Sequence, residues 1–287
     1  MLKEVNPAAV LVQGDTTTAF AGAVAAFYEG IPVGHVEAGL RTGNLAAPFP
    51  EEGNRRLIST LARWHFAPTS AAADNLRREN VPDRAIFVTG NTVVDALQLM
   101  AGRRDPITRT ETPRRLILVT GHRRESFGDG IENLCRALLQ IAREFPETEI
   151  LYPVHPNPNV IGPVHALLGG QKNIQLCDPL DYLQFVSLLK TCYFVITDSG
   201  GIQEEAPALG KPVLVTRDVT ERPEAVEAGC AKLVGTDTQR IVDAAAELLS
   251  NSASYQAMAN AKNPFGDGTS SKQILEILRR ELGTTIT

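Results

Sequence analysis

Short β-branched apolar runs alternate with longer amphipathic segments along nearly the whole chain. The first run, Ala8–Gln13 (AAVLVQ), predicts a buried strand, and the Ala-rich stretch from about Thr16 to Tyr28 predicts the helix after it. The pair then recurs as IPVGHVE and a helix from about Glu51, where FPEEGNRR sets Pro50 and two acids in the N-terminal turn. WHFAPT, a helix through Arg77, the strand AIFVTG and a helix from Thr92 to about Met100 complete the first series.

The segment from Gly102 to Arg115 (GRRDPITRTETPRR) is polar and has no hydrophobic period, which predicts a linker. Beyond it the alternation restarts with LILVTG and a helix from Ile131, then EILYPV, NIQLC, a helix from Tyr182, YFVIT, a helix from Gly201, KPVLVT, AKLVG and a helix from Asp237. Near-continuous apolar strands alternating with helices imply parallel sheets covered on both faces. The fold class is therefore α/β, with two doubly wound Rossmann-like domains and ligand expected at the strand carboxyl ends and in the cleft. The expected boundaries are a first domain over 1–101, a linker over 102–115, a second domain over 116–265 and a C-terminal segment over 266–287 whose helix packs back toward the first domain. Only three or four strands are predicted before the linker, against the usual five or six, and MLKEVNP reads as the tail of a helix feeding a strand. The first domain is thus expected to be incomplete.

Of 287 residues, 43% are hydrophobic and 21% charged, enough for two cores, and the net charge is −5. That balance argues against nucleic acid as a partner, since phosphate binding calls for a basic face. No apolar run reaches the roughly 18 residues of a membrane span, and the start lacks the order of a secretory signal. Cys135, Cys177, Cys192 and Cys230 stand far apart, which reads as small buried residues in a reducing cytosol. The five histidines have no metal-ligand spacing, so neither metal nor cofactor is expected.

Polar clusters recur directly after predicted strands. Gly14-Asp15-Thr16-Thr17-Thr18 follows VLVQ, Glu37 closes VGHVE, Gly121-His122-Arg123-Arg124-Glu125 follows LILVT, Asp198-Ser199-Gly200-Gly201 follows YFVIT, and Arg217-Asp218 follows KPVLV. One such cluster is no more than a helix cap; several at one topological end form the pattern of a site. Ser199, Gly200 and Gly201 open a helix whose free N–H groups suit a phosphate, while Glu204 or Glu205 could accept two hydrogen bonds from a ribose diol. The alternative is a plain cap followed by acids that complement the helix dipole. His122, Arg123 and Arg124 place cations at a helix N-terminus, which an anionic ligand would explain. Asp15, Glu37 and Glu51 lie at successive strand ends or helix starts, where mutual repulsion raises carboxylate pKa values toward acid–base use. The neighbouring Arg41, Arg55 and Arg56 balance their charge. His155, between prolines at a strand end, is a further cleft candidate, and His165 is assigned to the surface.

The stretches GDTTTAFAGAVAAFYEGIPVGHVEAGLRTG, PFPEEGNRRL, TGNTVVDAL, TGHRRESFG, YPVHPNPNV, TDSGGIQEEAPALGKPVLV, TERPEAVEAG and NPFGDG resemble the bacterial non-hydrolysing UDP-N-acetylglucosamine 2-epimerases, over essentially the whole chain. The resemblance implies a glycosyltransferase-B-like pair of Rossmann-type domains. It also implies a cytoplasmic homodimer that interconverts UDP-GlcNAc and UDP-ManNAc for surface polysaccharide synthesis, eliminating UDP to 2-acetamidoglucal and adding it back. On the family's motifs Asp15, Glu37 and Glu51 are catalytic carboxylates and His122 serves UDP binding and catalysis. Ser199, Gly200 and Gly201 meet phosphate, and Glu205 holds the ribose. Glu51, Arg123 or Arg124, and His155 fall on motifs that would line a second, activating UDP-GlcNAc site.

The resemblance carries one departure. The family begins with a strand and a GTRPE-type loop that have no counterpart here, so roughly 80 residues, about one βαβαβ half, are expected to be missing. On that reading the chain binds UDP but epimerises poorly. Two other readings stand beside it: a nucleotide-sugar glycosyltransferase of the same fold, and a truncated, inactive UDP-binding protein.

Overall fold

A computed structural model describes residues 2–46, 48–103, 114–121 and 127–283. The chain forms two compact units: Met1–Ala96 with Pro264–Thr287, and Leu97–Asn263.

In the first unit α1 (Leu2–Val5) leads into β1 (Val10–Gln13), α2 (Thr17–Tyr28), β2 (Val33–Val36), α3 (Glu51–Leu61), β3 (Trp64–Ala67), α4 (Ser70–Arg78) and β4 (Ile86–Val88). The strands run parallel in the order β1-β2-β3-β4, so β1 is an edge, with Leu11 exposed on it. All four residues of β2 and of β3 are buried, as strands covered on both faces must be. One face packs Val12 and Val33 against Ala19, Ala23 and Ala26 of α2 and Ile58 of α3. On the other, Val36, Trp64 and Phe66 meet Ile274 and Leu278 of the last helix of the chain, Ser270–Leu282. Gly34 makes room for that second layer: a Cβ there would lie 3.1 Å from the Phe66 ring.

The helix α5 (Thr92–Ala101) carries the chain into the second unit, and the unit boundary falls inside it, not in a linker. The expected linker is otherwise mostly outside the described residues. Arg115, which composition assigned to its end, is the first residue of a strand, fixed by a 2.6 Å bond from Nη1 to the Leu249 carbonyl and stacked over Tyr193.

The second unit comprises β5 (Arg115–Thr120), α6 (Asp129–Glu144), β6 (Thr148–Pro153), α7 (Pro158–Leu168), β7 (Ile174–Cys177), α8 (Tyr182–Thr191), β8 (Phe194–Thr197), α9 (Ile202–Ala208), β9 (Val213–Val215), α10 (Pro223–Glu227), β10 (Ala231–Leu233), α11 (Thr238–Ser250) and α12 (Ser252–Ala259). α13 (Ser270–Leu282) is the closing helix packed on the first unit. The parallel strands run β10-β9-β8-β5-β6-β7. Strand order reverses between β5 and β8, and in a doubly wound sheet that switch point is where the loops part and leave a crevice. The core is continuous beneath it, from Ile117, Val119 and Ile150 to Phe194, Ile196 and Leu214. Cys135, Cys192 and Cys230 are buried free thiols, and Cys177 is partly exposed.

Candidate functional site

The carboxyl ends of β1 and β2 form two tight turns. Gly14 has φ 68° and Glu37 φ 64°, so each strand leaves the sheet through a left-handed residue. For a non-glycine such as Glu37 that conformation is uncommon and is held by its surroundings. The Glu37 carboxylate lies against Gly14: a Cβ added there would be 3.5 Å from Oε2. Between the turns His35 is fully buried and its Nε2–H donates to the Gly14 carbonyl at 2.8 Å, while Nδ1 has no partner among the described residues. Burial holds the His35 pKa down to about 4 against the proton-favouring Gly14 bond. His65, its register partner on β3, is buried beside it and is likewise lowered to about 4, chiefly by desolvation.

The helix α3 ties onto the first turn. Asn54 Nδ2 donates to the Asp15 carbonyl at 2.8 Å, and Arg55 Nε donates to Asp15 Oδ2 at 2.8 Å. Glu51, Asn54 and Arg55 are i, i+3 and i+4 on one helix, so they share the face that meets Asp15. Glu51 is half-buried and has no ion-pair partner among the described residues. Its neighbour Glu52 is fully buried; it accepts the Thr42 and Gly43 N–H groups at 3.0 and 3.2 Å and pairs with Arg55 at 3.3 Å and Arg56 at 3.4 Å. Arg41 turns away to Glu79, gripping it with Nε and Nη2 at 2.8 and 2.7 Å. Of the three arginines near the acids, then, Arg55 alone contacts Asp15, and its second contact is to Glu52.

In the second unit the switch point is lined by the ends of β5 and β8. Thr120 and Thr197 are hydroxyl-bonded at 2.6 Å, Tyr152 donates to the Gly121 carbonyl at 2.9 Å, and the Ser199 N–H donates to Thr197 Oγ1 at 2.9 Å. α9 has no side-chain cap, and the N–H groups of Gly200 and Gly201 have no acceptor among the described residues. Gly200 is closely covered: a Cβ there would be 3.0 Å from Glu221 Oε1 and 3.2 Å from Arg222 Nη1. Arg222 Nε reaches Glu204 at 2.8 Å, Arg217 reaches Glu221 at 2.7 Å, and Thr220 donates to Gln203 at 2.6 Å. Glu204 is thus committed to an ion pair inside the protein. Glu205 is not: among the described residues its carboxylate accepts only the Tyr182 hydroxyl, on Oε1 at 2.8 Å. Burial raises the Glu205 pKa, the Tyr182 bond opposes that rise, and Glu204 adds to it.

Two parallel α/β units, glycine turns at the switch point of one and carboxylate-bearing turns at the strand ends of the other, narrow the families that fit. The family model of UDP-N-acetylglucosamine 2-epimerase matches residues 1–279. The chain belongs to the UDP-N-acetylglucosamine 2-epimerase family. The Yersinia pestis UDP-N-acetylglucosamine 2-epimerase is 54% identical over 290 residues, covering 97% of this chain and 77% of the relative. The Neisseria meningitidis UDP-GlcNAc 2-epimerase, solved bound to UDP-GlcNAc, superposes with a TM-score of 0.89 at 48% identity, covering 97% of this chain and 78% of that one. The Methanocaldococcus jannaschii UDP-GlcNAc 2-epimerase, in complex with UDP-GlcNAc and UDP, matches at 35% identity and a TM-score of 0.79, covering 97% and 77%. The glycosyltransferase-B-like fold expected from the motifs is the fold of this epimerase family.

Within this epimerase chain the structure groups Asp15, Glu37 and the start of α3 with Glu51 in one unit. Ser199, Gly200, Gly201 and Glu205 group in the other. His155 is exposed after β6, where Nδ1 accepts the Asn157 N–H at 3.1 Å. His165 is exposed on α7. His122, Arg123 and Arg124 lie outside the described residues. The sequence marks Glu52 only as one of the acids of the FPEEGNRR stretch facing a cleft, and it singles out none of Asn54, His35, Tyr182, Glu221 and Arg222 as site residues. The spacing of Glu52 to Arg55 and Arg56 was a readable signal, and TERPE marked the Glu221–Arg222 pair; nothing local marked Tyr182. Among the described residues no group of three or more His, Cys, Asp or Glu is arranged to hold a metal, and no helix is long and apolar enough to cross a membrane.

Proposed function

We propose that this chain interconverts UDP-GlcNAc and UDP-ManNAc by eliminating UDP across C1 and C2 and adding it back to the other face of the resulting 2-acetamidoglucal. The observation that carries the reading is the set of carboxylate turns at the strand ends of the first unit: Asp15 held by Asn54 and Arg55, Glu37 folded against Gly14, and Glu51 on the α3 face that meets Asp15. The C2 hydrogen is not acidic until the C1–O bond weakens. The reaction therefore needs a carboxylate to move the C2 proton and donors to take up charge on the departing pyrophosphate. The uncapped Ser199-Gly200-Gly201 turn offers such donors and Glu205 offers an acceptor for the ribose, and both support UDP binding by the second unit. Family membership and the ligands in the meningococcal and archaeal structures support the substrate.

The second UDP-GlcNAc as activator, the homodimer, the cytoplasmic location and a role of His122, Arg123, Arg124 and His155 in the site belong to the same proposal, by family. The deciding experiment is proton NMR of UDP-GlcNAc with the protein in D2O. Appearance of UDP-ManNAc with deuterium at C2, lost in Asp15→Asn while UDP binding persists, is the expected result. Sugar transfer to an added alcohol without C2 deuterium would identify a glycosyltransferase. UDP binding with neither would identify an inactive binding protein.

A further inference from the structure

We infer that Tyr182 is the residue that positions Glu205, holding one carboxylate oxygen so that the other faces the uridine ribose. The inference rests on the reading that Glu205 receives that ribose. Three observations carry it. First, the acids of α9 are differentiated: Glu204 is spent on Arg222, so Glu205 is the one left for a ligand. Second, the Glu205 carboxylate is asymmetric, with Oε1 taken by the Tyr182 hydroxyl and no partner for Oε2 among the described residues.

Third, Tyr182 is itself fixed. It is the first residue of α8, directly behind a capping box in which Asp181 accepts the Gln184 N–H at 2.8 Å and Gln184 Oε1 accepts the Asp181 N–H at 3.2 Å. The contact links residues 23 apart, from the helix that begins after edge strand β7 to the helix that begins after β8. A carboxylate on three rotatable bonds loses rotamer freedom on binding a diol, and a prior bond to one oxygen removes part of that loss before the ligand arrives. The hydroxyl also stabilises the charged carboxylate that burial disfavours, and a charged acceptor is the better partner for two sugar hydroxyls. Tyr182 remains 42% exposed, so losing its hydroxyl leaves no buried cavity.

The test is calorimetry of UDP and 2′-deoxy-UDP with the full chain, its Tyr182→Phe and Glu205→Gln variants and the double variant, together with KM and kcat for UDP-GlcNAc. Tyr182→Phe is expected to weaken UDP about fivefold to tenfold, raise KM with kcat unchanged, affect 2′-deoxy-UDP far less, and add little in the Glu205→Gln background. Equal weakening of UDP and 2′-deoxy-UDP, or full additivity with Glu205→Gln, overturns the positioning role while leaving the ribose assignment intact. Unchanged UDP affinity in Glu205→Gln overturns the ribose assignment itself, and the positioning role with it.

Discussion

Replacing Glu52 by glutamine isolates what the buried ion pair contributes to the first unit. The carboxylate is 0% exposed, bonds two backbone N–H groups of the 41–46 loop and faces Arg55, which is 5% exposed. Glutamine keeps the shape and one acceptor oxygen, but it turns an amide NH2 toward a donor and leaves Arg55 with Asp15 alone. A hydrogen bond to a charged group contributes about 1.5–3 kcal/mol, and breaking a buried pair by removing one partner costs about 3–5 kcal/mol. Because Arg55 retains Asp15, a loss of about 2–3 kcal/mol is expected, a large share of the 5–15 kcal/mol typical of a domain. The sole tryptophan, Trp64, is buried in the core of this unit, so its fluorescence in urea reports unfolding there and not in the second unit. With a urea slope of about 1–3 kcal/mol per M, the Trp64 midpoint should fall by about 1–2 M. A shift below about 0.3 M would refute the claim that Glu52 fastens the 41–46 loop and α3 together.

His35 and His65 have folded pKa values of about 4, below the ordinary 6.5, so between those limits the unfolded chain binds more protons than the folded one. The first unit should therefore be fully stabilised above pH 6.5 and lose stability as pH falls toward 4, on the order of 3 kcal/mol per histidine, read as a falling Trp64 midpoint; glutamine at either position should flatten the slope. Gly39 sits at φ 90°, and a Cβ there would be driven into the Ala72 carbonyl, which is backbone and has nowhere to move. Gly39→Ala should lower the stability of the first unit by more than about 2 kcal/mol, and an unchanged Trp64 melt would contradict the close approach.

The alternation of strands and helices was legible because parallel strands covered on both faces must be apolar throughout. Val33–Val36 and Phe194–Thr197 show this, with every residue buried. The glycine-bearing turns were legible for a related reason: positive φ and close approach restrict the residue types allowed. Which of two adjacent acids faces inward was not legible. Glu51 and Glu52 differ only in helix phase, and that phase is set by how α3 lies against the 41–46 loop and the Asp15 turn. Tyr182 left no local trace, since its partner is 23 residues away. The unit boundary was equally silent, because α5 runs through it without glycine or proline to punctuate it. His35 read as one more residue of a strand, and only burial with a bond to Gly14 distinguishes it.

The first unit is closed by the chain's last helix: Ile274 and Leu278 of α13 cover Trp64 and Phe66. During synthesis the cover given by Ile274 and Leu278 arrives only when the segment Pro264–Thr287 leaves the ribosome, after the whole of Leu97–Asn263 has been made; until then Ala9 and Phe87 are the first-unit neighbours packed there. At about 5–20 residues per second the delay is on the order of 10–30 s. The second unit, continuous in sequence, can complete its sheet in that interval. The first unit is started before the second but sealed after it. A ribosome stalled just before residue 264 would present the Trp64–Phe66 face to chaperones, whereas one stalled earlier in the second unit would present that face together with an unfinished second sheet.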